Sequence, residues 1–249
     1  MTTQTTISTS RLVIIPTYNE IENIERMLEK VLSLSPEFDI LIVDDGSPDG
    51  TASIVKQKIE QLPKRIHLIE RSGKLGLGTA YIAGFEWALK NNYDHIFEMD
   101  CDFSHNPDDL IRLDAQLLEG SDLAVGSRYV RGGKLKNWPL SRILISFGAS
   151  VYVRLITFMP VKDPTAGFVA YKKEVLSAID FKKIKFIGYA FQIEMKFATY
   201  LLGFKIKEIP ILFSDREEGV SKMSGGIVRE AVMGVLQMRF WAFSNSYSR

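Results

Sequence analysis

The feature that most constrains this chain is a rhythm. Short apolar runs recur through its first half, and each ends in polar or turn-forming residues before a stretch of helical periodicity. Leu12-Val13-Ile14-Ile15-Pro16 is the first run, Ile40-Leu41-Ile42-Val43 the second and Ile66-His67-Leu68-Ile69 the third. A fourth leads into Asp100, and Leu123-Ala124-Val125-Gly126-Ser127 is the fifth. Runs this short and this uniformly apolar suit strands buried on both faces of a parallel sheet. After the first run, Ile21, Ile24, Leu28, Val31 and Leu32 fall on one helical face, with Asn19 placed to cap it. Helices are also expected from Thr51 onward, from Gly76 to about Lys90, and from Asp108 to Leu118. Five alternations of strand and helix predict an α/β fold, a doubly wound and mostly parallel sheet flanked by helices.

Ligands of such sheets bind beyond the carboxyl ends of the strands. Chemistry-bearing residues gather there. Tyr18 and Glu20 follow the first strand, Asp44 and Asp45 the second, Asp100 and Asp102 the fourth, and Arg128 the fifth. If the chain stays extended past the fourth run, Asp100 and Asp102 point to one side. Two carboxylates so placed form a hard oxygen site for Mg²⁺ or Mn²⁺, shared with substrate phosphates. The bland reading of Asp-x-Asp is a capped, solvated turn. Recurrence after four strands favours function over that reading. Asp44 reads more as a turn former and Asp45 as a ligand contact. Gly76 and Gly78 fit either a phosphate loop or tight packing of a helix on a strand.

After Arg128 the pattern changes. Residues 129–139 hold Gly132, Gly133 and Trp138 and read as a mobile loop. Residues 141–159 form a long apolar helix interrupted by Arg142 and Arg154. A strand over 165–171, a helix over 189–202 and a strand over 206–213, broken at Pro210, come next. A charged loop over 214–226 leads to an apolar helix over 227–243. With 249 residues, 46% hydrophobic and 24% charged, the chain can fill one full-sized α/β domain. A net charge of +1 argues against a nucleic-acid partner. Cys101 is the single cysteine, so there is no internal disulfide and no cysteine-built zinc site. Residues 1–10 lack an apolar core and read as a flexible lead-in, not a signal peptide. No run of about 18 charge-free apolar residues is present, so no transmembrane helix is expected. His67, His95 and His105 lack ligand spacing, and only His105 falls near the acids. The lysines at 172, 173, 182, 183 and 185 read as a solvated face.

Val13-Ile14-Ile15-Pro16-Thr17-Tyr18-Asn19-Glu20, Ile42-Val43-Asp44-Asp45-Gly46-Ser47 and Met99-Asp100-Cys101-Asp102 resemble the inverting GT-A glycosyltransferases of family 2. Lys74-Leu75-Gly76-Leu77-Gly78-Thr79-Ala80, Gly126-Ser127-Arg128-Tyr129, Asp163-Pro164-Thr165-Ala166-Gly167-Phe168, the segment from Gly188 to Met195 and the segment from Asp215 to Lys222 narrow this. Together they look like the polyprenol-phosphate mannosyltransferases, the dolichol-phosphate mannose synthases, in their short form. The resemblance covers roughly residues 11 to 235. It implies a GT-A catalytic domain over 11–225, followed by an amphipathic helix and tail over 226–249. It implies transfer of mannose from GDP-mannose to a polyprenyl phosphate, with inversion. By position, Pro16, Tyr18, Glu20, Val43 and Asp45 would hold the guanosine. Asp100, Cys101 and Asp102 would hold metal and diphosphate, with Arg128, Arg216 and Lys222 on phosphates. Cysteine replaces the usual alanine between the acids, which adds a thiolate-sensitive position beside the metal.

The chemistry is consistent with these residues. Negative charge builds on a departing nucleoside diphosphate, and a divalent ion on Asp100 or Asp102, with Arg216 and Lys222, would neutralise it. A phosphate monoester acceptor has a second pKa of about 6 and arrives as an anion, so no strong base is required. It needs a cationic cradle, assigned to Arg128, Arg142 and Ser146; the last two lie one helical turn apart. Glu194 reads first as a structural or sugar-contacting group and only second as a base. A lipid-tailed acceptor also explains the apolar helices with arginines and Trp138 at their margins. These fit peripheral, monotopic docking on the cytoplasmic face of a membrane, with a separate membrane-anchoring subunit.

Overall fold

The computed structural model describes residues 9–188, 190–215, 225–244 and 246–249. The alternation read from the sequence is present. Strand β1 (Arg11–Thr17) leads to helix α1 (Ile24–Leu32), β2 (Asp39–Asp44) to α2 (Thr51–Gln61), and β3 (Ile66–Glu70) to α3 (Leu77–Lys90). Strand β4 (His95–Glu98) leads to α4 (Asp109–Leu118), and β5 (Leu123–Ser127) follows. Beyond it come β6 (Lys134–Lys136), α5 (Leu140–Thr157), β7 (Val169–Lys172) and α6 (Lys173–Ala178). The chain closes with α7 (Ala190–Leu201), β8 (Ile206–Pro210), β9 (Leu212–Ser214) and α8 (Gly225–Ser244).

Seven strands form one sheet in the order β3-β2-β1-β4-β7-β5-β8. All neighbours are parallel except those of β7, which runs antiparallel between β4 and β5. Alternation along β1 explains why its run is wholly apolar. Leu12 and Ile14 enter one core layer with Tyr81, Phe85 and Phe197, while Val13 and Ile15 enter the other with Met27, Leu28 and Leu113. Gly84 on α3 has functional bulk in reverse: a Cβ there would sit 2.7 Å from Ile14 Cγ2, so its absence lets the helix lie close on β1. Strand addition reverses direction between β1 and β4. That switch point opens a crevice beyond their carboxyl ends, where ligands of wound sheets bind.

Several details differ from the sequence reading. Helix α1 begins at Ile24, preceded by Asn23, whose side chain makes no capping hydrogen bond, and Asn19 sits at φ 57° before it. The 129–139 loop contains β6, which pairs with β9 and ties the loop to the end of the eighth strand's segment. Strand β7 is shorter than 165–171, because residues 163–168 form the loop that the site uses. Helix α8 packs on α5 and α7 and contributes Val235 and Met238 to the core. The tail after it returns to the body, where Ser248 bridges Ile179 and Tyr247 is buried. Helix α5 carries two arginines and so is not charge-free. Its length and mean hydropathy of 1.3 nonetheless reach those of a membrane-crossing helix, and only 17% of it is buried.

Candidate active site

The end of β2 is closed by its own acids. Asp44 Oδ2 accepts from the hydroxyls of Thr17 at 2.8 Å and Ser47 at 2.6 Å, and Asp44 Oδ1 accepts from the Ser47 amide at 2.8 Å. Asp44 therefore holds the turn. Asp45 accepts from Arg71 Nε at 2.7 Å, and Arg71 also donates to the Thr79 hydroxyl at 2.8 Å. Arg71 went unnoticed in the sequence, although it follows the third strand and the strand-end rule reaches it. Lys74 Nζ lies 5.0 Å from the Tyr18 ring centroid. Glu20 accepts from the Asn23 amide at 3.0 Å, and its own N–H donates to Thr51 Oγ1 at 3.1 Å. Pro16 is half-buried at the same end, and Val43 is fully buried, so its side chain belongs to the core.

Gly78 answers the question left open by its loop. Its amide donates to the Ile187 carbonyl at 2.8 Å, and a Cβ there would meet the Phe191 ring at 2.7 Å. The glycine serves packing of α3 on α7.

The acidic segment does not continue the strand. β4 ends at Glu98, the chain then bends, and Phe103 adopts φ 55°. A turn, not strand alternation, sets the relation of Asp100 to Asp102. Asp102 is 5% exposed and accepts from the Ser104 amide at 3.1 Å, whereas Asp100 is more open. The Asp100 amide donates to His105 Nδ1 at 3.4 Å. Burial pulls His105 down to about 4, so it is a neutral acceptor there, and it stacks on Phe168 at 4.9 Å. Cys101 is buried with the core. Burial first, then the charges of Glu20, Asp102 and Asp100, push its thiol well above the usual range. This corrects the expected thiolate-sensitive position: Cys101 fills space as a thiol.

Two carboxylates of unequal exposure fit a divalent ion that takes its remaining ligands from a diphosphate. No group of three or more ligating side chains occurs among the described residues, so a protein-only cage is not formed there.

Arg128 is not an idle cation. Its Nε and Nη2 donate to Asp163 at 2.8 and 2.6 Å, its amide donates to Asp163 at 2.9 Å, and Nη2 also reaches the Thr165 hydroxyl at 2.8 Å. Burial would raise the Asp163 carboxyl, but the Arg128 charge and hydrogen bonds outweigh it and hold it low. The fork of this guanidinium is occupied, which departs from the phosphate-cradle reading of Arg128. Arg142 lies on the open side. Its guanidinium stacks 3.8 Å from the Trp138 ring centroid and donates to Asp215 at 3.0 Å. Arg142 Nε and Trp138 Nε1 are buried with no acceptor among the described residues. Ser146 is half-buried one turn further along α5. Rings link the two sides, with Phe213 5.2 Å from His105 and 5.5 Å from Trp138. The structure thus brings Asp100, Asp102, Arg128 and Arg142 to one region. Arg216 and Lys222 lie outside the described residues.

Glu194 is 1% exposed and accepts from the amides of Lys185 and Phe186 and from the Tyr247 hydroxyl. These contacts make it a structural group that fastens the 185–186 segment and the tail. A buried trio, Glu98, Gln192 and Lys196, was also missed; a lysine inside an apolar helix gave no strand-end signal.

Residues 12–180 match the family described as Glycosyl transferase family 2. The chain belongs to that family. Its fold is the GT-A arrangement. The chain is 46% identical over 226 residues to polyprenol monophosphomannose synthase of Mycolicibacterium smegmatis, covering 91% of this chain and 85% of that one. It is 49% identical over 224 residues to undecaprenyl-phosphate mannosyltransferase of Micrococcus luteus, covering 90% and 91%. Among solved structures it resembles the mannosyltransferase PcManGT of Pyrobaculum calidifontis in complex with GDP-Man and Mn²⁺. That likeness has TM-score 0.59 at 18% identity, covering 98% of this chain and 67% of the other, and speaks for the fold.

Proposed function

We propose that this protein transfers mannose from GDP-mannose to a polyprenyl phosphate with inversion, giving polyprenyl-phosphate mannose and GDP. The observation that carries this reading is a pair of buried N–H donors with no acceptor among the described residues, Arg142 Nε and Trp138 Nε1, at the foot of an apolar helix left open to solvent. Such donors suit a phosphate, and such a helix suits the hydrocarbon attached to it. The extent and level of identity to two named polyprenyl-phosphate mannosyltransferases support mannose as the sugar.

Asp100 and Asp102 hold Mg²⁺ or Mn²⁺ in this reading, and the ion supplies positive charge to the departing diphosphate. Asp45, ordered by Arg71, faces the nucleoside with Tyr18, Glu20, Pro16 and the Val43 backbone. Arg142 and Ser146 orient the acceptor phosphate, with Trp138 holding the guanidinium flat. Arg128 acts mainly through Asp163, fixing the loop between the two substrates. Arg216 and Lys222 complete the donor phosphate contacts. The acceptor monoester is already anionic near neutral pH, so no side chain must take its proton before attack. Exposed Leu144, Ile145 and Leu155 on α5 support peripheral docking on a membrane; in this reading the membrane face is cytoplasmic and an anchoring subunit lies alongside.

The test is a donor panel with purified protein, polyprenyl phosphate in detergent, and Mg²⁺ or Mn²⁺. GDP-mannose gives labelled lipid and a chelator stops it. Transfer from UDP-glucose with none from GDP-mannose would overturn the choice of sugar. Tight GDP binding without any transfer would overturn the enzyme reading.

A further inference from the structure

Lys196 is an odd residue to find where it is. It lies in α7 among Phe191, Phe197 and Ala198, and its side chain is fully buried. Burying an ammonium is costly unless it is paired and hydrogen-bonded. Nζ donates to the Ala166 carbonyl at 2.6 Å, to the Gln192 carbonyl at 3.0 Å and to Gln192 Oε1 at 3.2 Å. The Gln192 amide then donates to Glu98 at 2.6 Å.

We propose that Lys196 is a positioning residue that fixes the acidic turn and the arginine clamp relative to one another. Two arms leave it. One runs through Gln192 to Glu98, the last residue of β4, two residues before Asp100. The other runs through the Ala166 carbonyl into the 163–167 loop. That loop carries Asp163, which grips Arg128, and leads into Phe168, on which the His105 ring stacks at 4.9 Å. His105 in turn accepts from the Asp100 amide. Both arms therefore lead to Asp100, one along the backbone from Glu98 and one through His105. A cation with three donors on a flexible stem can hold two carbonyls and an amide at once, which a packed apolar side chain cannot do. Lys196 itself touches no substrate.

This inference rests on the proposed donor site, and its experiment separates the two. Three proteins are compared: wild type, Lys196→Met, and the charge-neutral pair Glu98→Gln with Lys196→Met. Each is assayed for Mn²⁺-dependent GDP binding by calorimetry, for kcat and KM with GDP-mannose, and for urea stability. If wild type shows metal-dependent GDP binding but no mannose transfer, the function reading fails while calorimetry still decides this one. The expected result is that the double variant regains stability lost by Lys196→Met, because no buried charge is left unpaired. Its Mn²⁺ requirement for GDP binding still rises about tenfold, and kcat stays down about tenfold or more with KM for GDP-mannose within about threefold of wild type. Recovery of metal affinity and kcat along with stability would overturn the proposal, since Lys196 would then only balance the charge of Glu98. Failure of both variants to fold would also overturn it, because the residue's role would be structural.

Discussion

The two sides of the site are built by opposite means. On the donor side the charged groups after β2 and β5 are tied to other polar groups. Asp44 is held by Thr17 and Ser47, Asp45 by Arg71, and Arg128 by Asp163. On the acceptor side, donors are left over and apolar surface is exposed. Arg142 Nε and Trp138 Nε1 have no acceptor among the described residues, while Leu144 is 63% exposed and Leu155 is 66% exposed. The difference matches the partners proposed for each side. A soluble sugar nucleotide with many fixed oxygens is read by a preorganised surface, whose order costs nothing further on binding. A lipid carrying one phosphate needs only a few donors and an apolar path for its tail. Rigidity on one side and exposure on the other are thus two solutions to two different ligands.

The comparison breaks most sharply at the acidic turn. Asp102→Asn keeps the shape and the Ser104 hydrogen bond but removes a negative charge. Turnover should fall about a thousandfold, the order seen when charge stabilisation of a transition state is lost. Steady-state kinetics at saturating Mn²⁺ measure it, and retention of most activity would remove the metal from the donor side. On the acceptor side the matching change is Leu144→Gln together with Ile145→Gln. Two apolar side chains are each worth roughly 1.5–3 kcal/mol when fully taken out of water, so binding to lipid vesicles should weaken by about 100-fold or more. Activity on a short-chain, detergent-soluble polyprenyl phosphate should stay near wild type. Equal loss on both acceptors would mean that the α5 face supports the site and does not serve the lipid.

The same contrast decides what could be read from the sequence. Strand-end residues were legible because a wound sheet puts every carboxyl end at one crevice, so Asp45, Asp100, Asp102 and Arg128 needed only the periodicity to be placed together. Their partners were not legible. Asp163 is 35 residues from Arg128, and no local pattern announces that a carboxylate from another loop will occupy the guanidinium fork. The antiparallel insertion of β7 between β4 and β5 is equally silent, because strand direction follows from which loop lengths close around the core. Arg71 was within reach of the strand-end rule, whereas Lys196 was not. It interrupts an apolar helix, and only the fold shows that the interruption faces a carbonyl and an amide.

The smallest effect sharpens the contrast from inside the core. Burial pulls Lys196 down to about 8, against the opposing charge of Glu98. Its ordinary value is near 10.4 in the unfolded chain. Between those values the unfolded state holds more protons on this residue than the folded state does. Stability from this group must therefore rise as pH climbs from about 8 toward 10.4, and it is lowest below that window, where folding has to bury the charge. Lys196→Met removes the titration. Without its partner, Glu98, which burial already pushes up to about 7, shifts further upward and makes the variant lose stability over the same range. Both contributions have one sign. The stability of wild type minus that of Lys196→Met, from urea unfolding at each pH, should grow between pH 8 and 10. A flat difference would mean that the amine already titrates in the fold as it does in water, and that the buried bond to Ala166 is not kept in solution.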